Sequence, residues 1–86
     1  MSAFHTMKFH DITHALESVG YRLNPDGNGY TVSEPDPRKI IDTLRLTQTF
    51  KVIQIGFYYS LILPNDLLIY IDADQFGTRI HESEHN

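Results

Sequence analysis

Cysteine is absent from this chain. That excludes a disulfide framework and thiolate chemistry, and it suits a reducing compartment. Long apolar runs are missing as well: a membrane-spanning helix needs about 18 or more apolar residues, and Gln54, Ser60, Asn65 and Asp66 interrupt the longest tract. The N-terminus lacks the basic and apolar blocks of a signal peptide. The expected setting is the cytoplasm, with no membrane contact. Basic residues are few, 7 Lys and Arg against 11 Asp and Glu, for a formal net charge of −4. Nonspecific nucleic-acid binding draws on clustered Lys and Arg, so this balance counts against it. Several catalytic signatures are missing too. Asn24 to Gly29 is rich in glycine, but it lacks the Lys-Ser/Thr of a P-loop and the G-x-G-x-x-G spacing. No G-x-S-x-G elbow surrounds a serine, and HDITH lacks the glutamate of H-E-x-x-H.

What is present is one domain's worth of core. The 86 residues, 41% hydrophobic and 21% charged, match a globular chain rather than a disordered one. A domain of this size buries roughly 60–65% of its unfolded surface, leaving modest stability and no room for a second core. The longest apolar tract runs from Phe50 to Asp72 and reads as two strands joined at Pro64-Asn65-Asp66. Side chains alternate between faces along a strand. The odd positions, Ile53, Ile55, Phe57, Tyr59, Leu61 and Leu63, then Leu67, Ile69, Ile71 and Ala73, are apolar throughout and are expected to face the core. The even positions are mixed. Keeping odd residues opposite odd ones requires a loop with an odd number of residues. A three-residue loop pairs Leu63 with Leu67, Leu61 with Ile69 and Tyr59 with Ile71. It also sets Ile62 against Leu68, Ser60 against Tyr70 and Tyr58 against Asp72 on the outer face.

The rest of the chain falls into short elements. Residues 1–6 show no periodicity and read as a loose leader. From Lys8 a helix follows, with Phe9, Ile12, Leu16 and Val19 on one apolar stripe and Gly20 as its stop. Tyr21 to Leu23 and Tyr30 to Val32 flank a cluster of turn formers, Asn24 to Gly29. Asp36 suits an N-cap and Pro37 a first helical position, opening a second helix with Ile40, Ile41, Leu44 and Thr47 as its buried stripe. Arg38, Lys39 and Arg45 read as its solvated face. Asp74 to Gly77 is a turn, Thr78 to His81 a final edge strand, and residues 82–86 a polar tail. The expected fold is therefore α+β, a two-layer domain with an antiparallel sheet, two helices on one face and the order α-β-β-α-β-β-β.

Chemistry-bearing residues are sparse. His10 and His14 lie four apart on the first helix, so both rings can face one side as a metal site requires, with Asp11 or Glu17 as a further group. His81 and His85 repeat the spacing. Asp72 and Asp74 share a strand face but lack the remainder of a calcium loop. Ser60 has no histidine near it in sequence. The outer face carries the one unusual surface: Tyr58, Tyr70, Ile62 and Leu68 form a patch, and tyrosine combines a large buried ring with a hydrogen-bonding end. The expectation is a non-enzymatic protein-binding module without cofactor, a small regulator or inhibitor of a larger protein. Its contact would be this patch, with another protein or a second copy of the chain. Small, acidic, cysteine-free composition of this kind is typical of phage or mobile-element accessory proteins. The alternatives are a small metal-dependent enzyme or metal sensor built on His10 and His14 and, least supported, a nucleic-acid-binding module stacking bases on the sheet tyrosines.

Overall fold

The computed structural model describes residues 7–75 and 77–83. The leader at 1–6 and His85 lie outside the described residues. Helix α1 spans Phe9–Ser18. The Lys8 amide donates to Asp11 Oδ2 at 2.8 Å, which fixes the first turn. Gly20, at φ +105°, ends the helix: its amide bonds the Glu17 carbonyl at 3.0 Å and the Tyr21 amide bonds the Leu16 carbonyl at 3.2 Å. This is the Schellman pattern, for which glycine is the natural residue. Ile12 and Leu16 are buried as the stripe predicts. Val19 is exposed instead, because the helix has already ended at Ser18 and Val19 occupies the C-cap.

Strands β1 (Leu23–Asp26) and β2 (Gly29–Val32) form a hairpin. Its turn is only Gly27-Asn28; Asn24, Pro25 and Asp26 belong to β1 rather than to a long loop. Pro25 is tolerated there because β1 lies at the sheet edge, where a missing N–H breaks no inner ladder. Helix α2 spans Pro37–Arg45, with Asp36 Oδ1 accepting from the Arg38 amide at 3.0 Å. Ile40, Ile41 and Leu44 are buried, while Thr47 lies beyond the helix and is exposed.

Four strands follow: β3 (Lys51–Ile55), β4 (Tyr58–Ile62), β5 (Leu68–Asp74) and β6 (Gly77–Glu82). The protein is an α+β domain whose six strands form one antiparallel sheet in the order β1-β2-β6-β5-β4-β3, with two helices. Chain order is therefore α-β-β-α-β-β-β-β, one strand more than expected. The last strand is also not an edge. β6 pairs with β5 on one side and β2 on the other, because the first hairpin docks against it with Tyr30 opposite Ile80 and Val32 opposite Thr78. Pairing continues past the strand, the Ser83 amide bonding the Leu68 carbonyl at 2.9 Å, so the expected polar tail is still attached to the sheet at residues 82 and 83. No helix among the described residues is long and apolar enough to cross a membrane.

The β4–β5 register is the one that loop parity requires. Leu61 faces Ile69, Tyr59 faces Ile71, and the Leu63 amide bonds the Leu67 carbonyl at 3.0 Å across Pro64-Asn65-Asp66. Asp66 takes φ +66°, the left-handed residue that a three-residue hairpin needs. Leu61, Ile69, Ile71 and Ile80 are fully buried and join Ile12, Leu16, Ile40, Ile41 and Leu44 of the helices in one cluster. Each such side chain contributes about 1.5–3 kcal/mol by burial.

The extra strand arises inside what reads as one long strand. Gly56, at φ +60°, and Phe57 form a two-residue turn, the type II′ geometry with glycine first. An even loop pairs odd with even residues: Ile55 faces Tyr58, Ile53 faces Ser60 and Lys51 faces Ile62. Ile53 and Ile55 are thereby moved to the outer face, and Val52 and Gln54 take the core side opposite Leu61 and Tyr59. Ile53 is 50% exposed, Ile55 76% and Phe57 78%, so the expectation that they are core residues is overturned. A stability comparison checks this directly. Ile55→Ser should change the unfolding free energy by less than about 0.5 kcal/mol, whereas Leu61→Ala should cost about 2–5 kcal/mol. Urea titrations giving comparable losses for the two would contradict the register.

Candidate interaction surface

The face of the sheet opposite the core is built by simple alternation. β4 contributes Tyr58, Ser60 and Ile62, β5 contributes Leu68, Tyr70 and Asp72, and β6 contributes Arg79 and His81. The parity switch at Gly56 adds Ile53 and Ile55 from β3. The four residues expected to bind a partner thus share one face. Tyr58 is exposed, and Tyr70, Ile62 and Leu68 are half-buried by their neighbours. Tyr58 meets Tyr70 edge-on with ring centroids 5.9 Å apart, and Tyr70 packs against His81 at 5.4 Å. An aromatic row therefore crosses β4, β5 and β6. Edge-to-face contact suits the ring quadrupoles and holds Tyr58 in place despite its exposure.

Ile53, Ile55, Phe57 and His81 are the members of this surface that the sequence pattern assigns elsewhere. The signal for the first three was Gly56-Phe57, a Gly-X pair able to form a two-residue turn. His81 is placed by β6 entering the middle of the sheet. Gly29 lies opposite it, and a Cβ there would come within 2.6 Å of His81 Cβ and 2.3 Å of the Ile80 carbonyl oxygen. Glycine is what lets β2 sit this close beneath the histidine.

The surface has two electrostatic halves. Residues 51–62 contain no acidic residue and a single charge, Lys51. From the end of β5 onward the face turns polar, with Asp72 and Asp74 of β5 and Asp26 of β1 on the same side as Arg79. That guanidinium is engaged: Nη2 donates to the Asp26 carbonyl at 2.8 Å and to Asn28 Oδ1 at 2.6 Å, and Nε lies 3.5 Å from Asp26 Oδ2. It clips the β1–β2 turn to β6. A base-stacking platform calls for free cations around its aromatics; here Tyr58 has Asp72 opposite it, and the arginine is committed to the turn.

The other candidates are dispersed. His10 and His14 are exposed on α1 with rings stacked at 6.1 Å, and no group of three or more metal-ligating side chains exists among the described residues. The Asp11 carboxylate accepts the Lys8 amide. Asp72 and Asp74 share the outer face at the end of β5, as the alternation predicts. Ser60 and His81 both face Tyr70, from opposite sides. With β5 between them they stand about 9–10 Å apart, too far for a nucleophile and its base.

The close approach at Gly29 is testable. Gly29→Ala must shift β2 or β6 and should cost about 1–3 kcal/mol, read as a lower urea midpoint; an unchanged midpoint would mean the two strands are further apart than described. No family model matches this chain, and no characterised protein or solved structure matches it either.

Proposed function

We propose that this protein is a non-enzymatic protein-binding module that regulates or inhibits a larger protein by covering part of its surface. The observation that carries the proposal is the concentration of exposed apolar and aromatic side chains at one end of the sheet: Ile53, Ile55, Phe57 and Tyr58, continuous with Ile62, Leu68 and Tyr70. Such patches on small domains mark contact sites, and tyrosine is enriched among the residues that dominate binding energy. The lack of acidic residues from 51 to 62 supports the same reading, because charged groups are depleted at interface centres. A chain without cysteine fits a cytoplasmic setting for this partner.

The anchors of this contact are Tyr58 and Tyr70. Their double replacement, Tyr58→Ala with Tyr70→Ala, removes the aromatic row while leaving the buried face untouched. Far-UV circular dichroism should be preserved. Proteins from the native host that wild type retains on an affinity column should be lost, and the isolated complex should weaken by about 30-fold or more, the effect of removing one strong interface anchor. Retention equal to wild type would count against the outer face as the binding surface.

A further inference from the structure

We propose that two copies of this chain join edge to edge through β3, forming a continuous antiparallel sheet about a two-fold axis at Ile53; this rests on the interaction-module reading and names a second copy as an occupant of its β3 border. The two ends of the sheet are unlike. β1 carries Pro25, which has no N–H, and Asp26, both of which discourage pairing with another strand. β3 has no proline, and its one charge, Lys51, stands at its first residue, leaving the rest of the edge uncharged. Its sequence, Lys-Val-Ile-Gln-Ile, contains no proline and no acidic residue, and no described strand lies beyond it.

The geometry is self-complementary. Ile55 and Tyr58 flank a two-residue turn and are therefore a hydrogen-bonded pair. Bonded and non-bonded pairs alternate along an antiparallel ladder. Ile53 and Lys51 thus also bond toward β4, and the amide groups of Val52 and Gln54 point to the open edge. An axis at Ile53 sets Val52 opposite Gln54 of the second copy, so that these groups bond each other. The same register brings Ile53 against Ile53 of the second copy on the outer face, merging the two apolar patches. It also carries the turn at Phe57 level with Thr49 of the second copy. Beside that position lies a mainly apolar depression lined by Phe50, Ile62, Leu63 and Pro64 together with Thr49 and Lys51, with room for an exposed aromatic ring. Charge permits the approach. The chain's net −4 would oppose self-association, but within residues 51–62 the only charge is Lys51, so no carboxylate of the hairpin meets its copy.

Sedimentation velocity on the full chain tests the proposal. Wild type should sediment as a dimer that dissociates on dilution. Ile53→Lys and Ile53→Glu each place like charges face to face at the axis and should raise the dimer Kd by about tenfold or more. An equimolar mixture of the two variants should recover the dimer, which also shows that both are folded. Wild type remaining monomeric at every concentration would overturn the proposal, as would variants that each still dimerise or a mixture that does not. Tyr58→Ala with Tyr70→Ala leaves the β3 amides in place. A monomeric wild type that still retains its partner through those tyrosines would remove the edge contact alone. A dimer that retains no partner would remove the wider reading alone.

Discussion

Leu61, Ile69, Ile71 and Ile80 lie side by side across β4, β5 and β6, and this buried strip supports the rest of the molecule. Both helices rest their apolar stripes in the cluster it forms, and the first hairpin attaches through Val32 and Tyr30 alongside β6. The strip exists because the Pro64-Asn65-Asp66 loop holds three residues. One residue more or fewer would set apolar side chains opposite the outer-face series and divide the core between two faces. Asp66 in the left-handed region and the Leu63–Leu67 bond are the local features that hold that count.

The Gly56-Phe57 turn, one strand away, has two residues and so inverts the pattern that the three-residue loop preserves. Isoleucines that would have thickened the core become surface. An antiparallel sheet with one packed face leaves its other face to solvent, and most proteins fill that face with polar groups. Here β6, β2 and β1 follow that rule, with Arg79 pinned between Asp26 and Asn28. The β3–β4 end departs from it. The departure is local, aromatic at its centre and free of carboxylates across residues 51–62.

Much of this architecture was legible in residue spacing. Both helices, the N-cap at Asp36, the stop at Gly20 and the full β4–β5 register follow from local chemistry, because caps and turns act within a few residues. The common face of Tyr58, Ile62, Leu68 and Tyr70 follows from the same alternation. The misassignments have separate physical causes. A run such as Ile53 to Leu63 is apolar at every odd position, and alternation alone has no means of showing that a glycine within it reverses the chain. Asn24, Pro25 and Asp26 look like loop by composition and are strand because an edge tolerates them.

By itself the sequence determined which residues favour helix, strand and turn, and which of them bury together across the β4–β5 hairpin, since these depend on backbone geometry and nearest neighbours. Only the tertiary structure decided that β6 is central, that Gly29 and His81 meet, and that Ile53 and Ile55 join the outer face. Those facts depend on which strands pair over long separations. Pairing of that kind is chosen by the summed burial of the whole sheet, a quantity no single stretch contains.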